Sequence, residues 1–231
     1  MSTQRSAGRR PKDSSLTRTA VVEAAIDILD TSGESGLTFR VLADRLHSGS
    51  GAIYWHVANR NQLLDLACDA ILAPVESEAP QLSKGDELDA IRALALSLFD
   101  TLDRHPWIGI HLPSSPGLPS ALRLLERIGE SVRSFGVPAE RQFYVATAVF
   151  TYVLAVAAQM TRNAQTAGAS HTQDEWLAEQ ANQWAQLDPQ THPFLHGAAA
   201  DLRDHDDREQ FIVGLDLLLA GIQPAARTRQ R

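Results

Sequence analysis

Apolar residues recur at intervals of three and four along most of the chain, which is the period of an amphipathic α-helix. Val22, Ile26 and Leu29 form an early stripe of this kind. We find no convincing strand, repeat or low-complexity tract, so we expect an all-α protein. Glycine and proline predict the first breaks, since Gly33 is expected to end the first helix and Pro74 a later one.

Two short helices joined by a tight turn are predicted between residues 38 and 57, which is a helix-turn-helix pattern. Thr38 is the expected N-cap of the first. Asn59 and Gln62 have the spacing of a capping box and open a longer helix. The sequence therefore predicts an N-terminal three-helix helix-turn-helix domain over residues 17–73.

Helical patterns resume after a segment rich in proline, serine and acids, and they predict a second helical domain over residues 86–223. Its most informative helix is expected at about residues 139–163. That helix carries no charged side chain from Phe143 to Ala158, and apolar groups lie all round it. Such a helix is buried on every face, so we expect one face against its own core and another against a partner chain.

Composition favours a soluble globular protein, because 44% of the 231 residues are hydrophobic and 21% are charged. The single cysteine, Cys68, excludes an internal disulfide framework and a multi-cysteine zinc module. No secretory signal is visible, and the strictly apolar stretches are shorter than the ~18 residues of a membrane span. We therefore expect a cytoplasmic protein without a membrane partner.

Charge is unevenly distributed, although the net charge is −7. Residues 1–62 carry eight basic and six acidic side chains, whereas the rest of the chain has a net charge of −9. A basic start on an acidic body allows approach to phosphate while the body stays soluble. Residues 1–16 are expected to form a flexible basic arm that enters a minor groove, and the alternative is a solvated tail. The basic side chains of this arm are Arg5, Arg9, Arg10 and Lys12.

A helix-turn-helix reads DNA with the N-terminal end of its second helix in the major groove. Small residues stand there and allow close approach, and Ser50 can hydrogen-bond a base edge. Aromatic and imidazole tips follow and suit phosphate oxygens, although core packing is the alternative for Tyr54 and Trp55. Arg40 can reach a base or phosphate, and Arg60 can clamp the backbone. The candidate DNA-binding residues are Thr38, Arg40, Ser50, Gly51, Ala52, Tyr54, Trp55, His56 and Arg60.

These motifs resemble the DNA-binding domain of the TetR family of repressors, and the run YWHV resembles the tetracycline repressor branch in particular. A weaker resemblance extends to the C-terminal regulatory domain of that branch. The matching segments are LTFRVLADRL at 37–46, GAIYWHV at 51–57, NR followed by LL at 59–64, RHPW at 104–107, HPFL at 192–195 and the apolar pattern of 211–221.

The resemblance implies an all-helical homodimer that binds a palindromic double-stranded operator and releases it when a small-molecule effector enters the C-terminal domain. It also implies a four-helix bundle at the dimer core, which by order falls on helices at about 139–163 and 206–221. Two departures stand out. His47 occupies a turn position that is usually glycine, and residues 50–52 are smaller than in the tetracycline repressor, so we expect a different operator.

His111 resembles the magnesium-ligand histidine of the tetracycline repressor, but residues 153–159 contain no carboxylate where the partner acid would fall. We therefore expect no tetracycline–magnesium site, no metal and no other cofactor. The effector should enter a mostly apolar cavity among the body helices. The candidate ligand-binding residues, each of which has core packing as its alternative, are Phe99, Trp107, His111, Tyr152, Gln159, Trp176 and Trp184.

An enzyme is not expected. Residues 49–51 begin like a dinucleotide-binding loop, but Tyr54 replaces its final glycine and no strand precedes it. No P-loop or HExxH motif occurs. The sequence leaves two alternatives to a repressor: an activator on the same fold, or a helical small-molecule binding protein that does not read specific DNA.

Overall fold

The computed structural model describes residues 16–77, 85–167 and 172–222. Twelve α-helices and one short 3₁₀ helix occupy these ranges, which contain no strand, so the predicted all-α fold is confirmed there. The predicted basic arm lies, apart from Leu16, outside the described residues. The helices are α1 Arg18–Gly36, α2 Phe39–Arg45, α3 Ser50–Tyr54, α4 Arg60–Ser77, α5 Glu87–Arg104, α6 Pro106–His111, the 3₁₀ helix Leu112–Ser114, α7 Pro119–Ser134, α8 Ala139–Ala167, α9 Gln173–Ala185, α10 Pro193–Gly197, α11 Ala199–Arg203 and α12 Asp207–Ile222. We call α1–α4 the head and α5–α12 the body.

Helix α1 begins where Thr17 caps it, with the Thr17 hydroxyl accepting from the amide of Ala20 at 3.1 Å. Gly33 was expected to end this helix, and the backbone does leave helical geometry at that residue, with φ 62° and ψ −173°. The chain kinks there, and a further short helical stretch continues to Gly36. Glycine tolerates this left-handed φ because it has no Cβ. The kink turns the last residues of α1 towards the start of α4.

Helix α4 also runs past its predicted end. Pro74 lies inside it, and the helix continues to Ser77. Proline removes the amide that would bond to the carbonyl four residues earlier. That carbonyl belongs to Ala70, which is exposed, so water can satisfy it. Pro74 therefore sits in the last turn without ending the helix.

Two further boundaries lie in the body. Ala198 (φ −84°, ψ 3°) separates the short helices α10 and α11. The long body helix α8 reaches Ala167 instead of ending near residue 163. A capping box starts α9, with Thr172 and Glu175 bonding reciprocally.

Helix α8 forms the centre of the body and packs against α5, α6, α7 and α12. The Phe99 ring on α5 stacks on Phe211 of α12 with centroids 4.1 Å apart, and Tyr152 of α8 stacks on the same ring at 5.6 Å. Gly214 makes this possible, because a Cβ there would lie 2.0 Å from the Tyr152 hydroxyl. One continuous cluster of buried apolar residues extends from Val21 in the head to Ile222 at the end of the body.

By length and composition alone, the segment Ala139–Arg162 of α8 could cross a membrane, with a mean hydropathy of 1.6. Only 28% of its most apolar window is buried within the described chain. The chain's own core therefore does not bury α8 on every face as predicted, and the exposed side of α8 remains available to a partner.

Candidate nucleic-acid interface and ligand cavity

The helix-turn-helix is assembled by two caps and a left-handed turn. The Thr38 hydroxyl accepts from the amide of Val41 at 3.2 Å and starts α2. His47 has φ 49° in the turn that follows, a conformation that histidine tolerates better than most residues. Helix α3 then runs for five residues, and fully buried Ile53 anchors it. The turn therefore presents one face of α3 outward.

Most of the predicted DNA-binding residues are exposed at α2, at α3 and at the residue that follows α3. Trp55 is 89% exposed and Tyr54 is 58% exposed, with the Tyr54 ring edge-on to Phe39 at 4.7 Å. The core-packing alternative is thereby excluded for Trp55. The other exposed members are Thr38, Arg40, Ser50 and Gly51, while Ala52 and His56 are half-buried.

Arg60 has a different environment from the others. Its guanidinium donates to the backbone carbonyls of Leu37, at 3.2 Å, and of Glu34, and it lies 3.4 Å from the Glu34 carboxylate. These contacts fasten the start of α4 to the end of α1. The geometry gives Arg60 protein partners, so it positions the head rather than being aimed at solvent. This role of Arg60 could not be predicted from the sequence pattern, because it depends on the kink at Gly33, which brings the carbonyls of Glu34 and Leu37 within reach of the guanidinium.

The Arg60 contacts predict a stability effect. Arg60→Ala should lower the free energy of unfolding by about 1–3 kcal/mol, because two partly buried carbonyls and a carboxylate lose a charged donor. Arg40→Ala removes the same charge from an exposed position and should change it by less than about 0.5 kcal/mol. Urea unfolding of the full chain at fixed concentration measures both, and equal losses in the two variants would contradict the assignment.

The N-terminal end of helix α6 joins the body to α1. The same Asp30 oxygen lies 2.8 Å from Nδ1 of His105 and 2.8 Å from Nε1 of Trp107. Trp107 is buried, and its indole N–H donates to this carboxylate. The candidate ligand residue Trp107 therefore holds the head against the body.

A second set of contacts joins the α6–α7 region to α4. One oxygen of Asp65 lies 2.9 Å from Nε2 of His111 and accepts from the Ser115 hydroxyl at 2.8 Å. Four residues along α4, Asp69 accepts from the amide of Ser120 at 2.9 Å. The candidate ligand residue His111 thus also lies in the joint between head and body. We call the Asp65, His111 and Ser115 group the α4 cluster.

A cavity of about 470 Å³ opens between the loop after α6, helix α7 and helix α8. Its lining is almost entirely apolar, with a few polar groups, as in small-molecule sites. The lining residues are Leu112, Pro113, Ser115, Pro116, Ala121, Leu122, Leu125, Phe150, Thr151, Leu154, Ala155, Ala158 and Arg162.

None of the seven candidate ligand residues lines this cavity. Phe99 and Tyr152 belong to the stacked core around Phe211, and Gln159 is exposed on α8. Trp176 and Trp184 are half-buried on α9. The candidate residues are aromatic or polar, whereas the cavity is lined mainly by aliphatic side chains whose sequence pattern is that of ordinary core residues. The proline-rich stretch after His111 was the sequence feature that could have indicated the cavity, because Pro113 and Pro116 form part of its wall.

The family model described as Tetracyclin repressor-like, C-terminal domain, matches residues 79–225, which is more than half of the chain. A solved transcriptional regulator of Streptomyces coelicolor, described as a TetR, shares 39% identity and superposes with a TM-score of 0.78. The alignment covers 92% of this chain and all of that one.

This chain belongs to the TetR family. Its TetR-family relatives include the HTH-type transcriptional repressor DrrR1 of Streptomyces coeruleorubidus, at 36% identity over 134 residues. That match covers 56% of this chain and only 49% of the relative, so it spans about half the length of that protein. The structure of the TetR family protein ActR of Streptomyces coelicolor in complex with actinorhodin shares 27% identity at a TM-score of 0.78, covering 93% and 99% of the two chains.

Tyr152 gives this TetR-family body a pH-dependent contact. Its hydroxyl donates towards the α12 carbonyls of Phe211, at 3.1 Å, and Gln210, at 3.3 Å, and burial raises its pKa above the ordinary value of 10.0. Folding therefore favours the neutral phenol. The stability that this hydrogen bond contributes is fully present below the pKa of Tyr152 in the unfolded chain, and it is lost as the pH rises through the higher pKa of Tyr152 in the folded protein.

Tyr152→Phe should therefore lower the free energy of unfolding by about 1 kcal/mol at pH 7 and flatten its decline at alkaline pH. Tyr54→Phe, at an exposed position of the head, should leave the free energy of unfolding at pH 7 unchanged. Denaturant unfolding at pH 7 and again above pH 10 measures how steeply the free energy of unfolding declines with pH in the wild type and in the variant. An alkaline decline that persists in Tyr152→Phe at the wild-type slope would contradict the assignment.

Proposed function

We propose that the protein is a homodimeric transcriptional repressor that binds a palindromic operator through its two heads and releases it when a small molecule fills the body cavity. The observation that carries this proposal is Trp55, 89% exposed at the end of a short helix whose other side is anchored by buried Ile53. A tryptophan so exposed loses apolar burial in the free protein, and DNA contact restores it. The relatives named as repressors support the same function.

The proposed DNA interface is the outward face of the helix-turn-helix. Ser50, Gly51 and Ala52 approach base edges at the N-terminal end of α3. The side chains of Thr38, Arg40, Tyr54, Trp55 and His56 meet phosphates and neighbouring bases. Arg60 contributes by holding α4 in place, and the arm over residues 1–16 adds non-specific attraction to phosphate. The reading unit spans residues 17–73 and the regulatory unit 86–223.

The proposed dimer forms through α8 and α12, which leave apolar surface uncovered side by side. Tyr144 on α8 and Leu217 on α12 are each 71% exposed, and Val213 is also exposed. A groove of about 420 Å³ runs between the two helices. Exposed apolar surface of this kind is typical of an interface, and a second copy of the chain buries it. Both heads then face one side of a four-helix bundle.

The proposed effector site is the cavity between the α6–α7 loop, α7 and α8. Its size and apolar lining suit a small organic molecule. ActR, which shares the fold, is described in complex with actinorhodin, and this supports a small-molecule effector here. The effector acts by favouring a head spacing that no longer matches the two half-sites. We place the protein in the cytoplasm, where such a regulator meets DNA, and assign it no catalytic role.

Selection of random duplex DNA by the purified full chain at physiological salt tests this function. We expect enrichment of a palindrome whose half-sites lie about one helical turn, ~34–36 Å, apart. Binding to that site should fall linearly with log salt concentration. The absence of any enriched site would reject DNA reading and favour a small-molecule binding protein. A reporter that is activated by the chain through the enriched site would replace repression with activation.

A further inference from the structure

Ser115 lies between two spaces in the structure. It lines the body cavity, and it also lines a groove of about 250 Å³ formed with α1, α4 and the α6–α7 loop. Leu112 and Pro116 share the first space with it, whereas Asp65 shares the second. Ser115 is thus in reach of a cavity ligand on one side and of the head on the other.

The Ser115 hydroxyl has one proton to donate, and in the structure it donates that proton to Asp65 at 2.8 Å. The same Asp65 oxygen faces Nε2 of His111 at 2.9 Å, and the Ser115 oxygen lies 3.3 Å from that nitrogen. A hydrogen bond to a carboxylate is among the stronger ones. A second acceptor can receive the Ser115 hydroxyl only by ending its bond to Asp65.

The cavity selects the chemistry of such an acceptor. Apart from Ser115, the polar lining residues are Thr151 and Arg162 on the α8 wall, and the others are apolar. A molecule of two or three fused rings fits within this volume, where it can bury its rings against leucine, proline and phenylalanine side chains. A carbonyl oxygen on that ring system can meet the loop side of the cavity, where a rotation about the serine χ1 turns the hydroxyl inward.

We propose that Ser115 couples the cavity to the head, and that the effector is a mostly apolar ring compound with a carbonyl-type acceptor that draws the Ser115 hydrogen bond away from Asp65. This inference rests on the proposed repressor function and names the ligand class and the switching contact of that site. Asp65 loses one of its two donors, the α4 cluster loosens, and α4 leaves the position that it holds in the structure. Ring compounds without an acceptor occupy the cavity and leave the cluster intact.

Fluorenone and fluorene form a suitable probe pair, because they share one ring skeleton and differ by the carbonyl oxygen. At saturating concentrations, fluorenone should weaken operator binding by the full chain about tenfold or more, as expected for a lost bond to a charged group, and fluorene by less than about twofold. Ser115→Ala should abolish the difference between the probes and still bind fluorenone in calorimetry. Ser115→Thr, which keeps the hydroxyl, should restore the difference. Ser114→Ala, at the exposed neighbouring serine, serves as the matched control.

The inference is overturned if fluorene releases the operator as well as fluorenone does, if Ser115→Ala retains the difference, or if calorimetry detects no fluorenone binding. Hydrogen exchange of α4 without DNA provides a second reading, since fluorenone and not fluorene should speed exchange in wild type only. Operator binding that ignores both probes rejects this inference alone. Failure of the unliganded chain to bind any operator rejects the repressor function, while the α4 exchange result still decides the role of Ser115.

Discussion

Leu217→Asp is expected to convert the proposed dimer into monomers and to weaken operator binding by about a hundredfold or more, because a dimer gains its second half-site at a high effective concentration. Leu217 is 71% exposed on α12, beside the α8–α12 groove that the second copy is proposed to cover. A carboxylate at this position would be buried without a partner in the dimer and solvated in the monomer. Fluorescence anisotropy with operator DNA, alongside sedimentation, measures both effects.

Ile110→Asp is the matched control for that variant. Ile110 is also an exposed aliphatic residue, but it lies on α6 and not on α8 or α12. Its replacement adds the same charge and should leave the protein dimeric in sedimentation. A Leu217→Asp protein that remains dimeric at micromolar concentration would place the interface elsewhere.

Trp55→Ala should weaken operator binding by about ten- to a hundredfold, since an aromatic contact of this size contributes about 1–3 kcal/mol. Its free energy of unfolding should change by less than about 0.5 kcal/mol, because the side chain is almost fully exposed. The neighbouring Ile53→Ala should have the opposite profile. That residue is fully buried, so its loss lowers stability by about 2–5 kcal/mol and reduces DNA binding only through unfolding.

Phe194→Ala controls for the loss of an exposed aromatic residue outside the head. Phe194 lies on α10, and its replacement by alanine should leave operator affinity unchanged. Anisotropy titrations and denaturant unfolding of the three variants separate contact with DNA from support of the fold. A Trp55→Ala protein that loses stability in proportion to its loss of affinity would return Trp55 to a structural role.

The helix-turn-helix could be predicted in detail because its signals are local. Thr38 caps α2 as expected, and Asn59 caps α4 by accepting from the amide of Gln62 at 2.9 Å. The return bond of the expected capping box is displaced by one residue, since the Gln62 side chain accepts from Ala58 rather than from Asn59. Short-range spacing therefore decides which residues cap a helix, and the details of the bonds follow from the turn that precedes it.

The ligand cavity could not be predicted in the same way because it depends on distant segments. Trp107 and His111 stood out as chemically distinctive, yet each is committed to a head carboxylate, Asp30 and Asp65 respectively. Those carboxylates are separated from their partners by 77 and 46 residues. The aliphatic residues that do line the cavity have no local signal that distinguishes a wall from a core.

The unbroken apolar cluster from α1 to α12 limits where recombination can exchange the head or the body between such proteins. Helix α4 belongs to both units, because it packs against α1 on one side and against α5 and α7 on the other. If recombination places the junction between this head and another body within or after α4, then α4 comes from one protein and α5 and α7 from the other. The α4 face that contacts α5 and α7 must then remain compatible with the new body. Chimeras with a new operator specificity are therefore expected to tolerate a crossover before Arg60 better than one in the proline-containing last turn of α4.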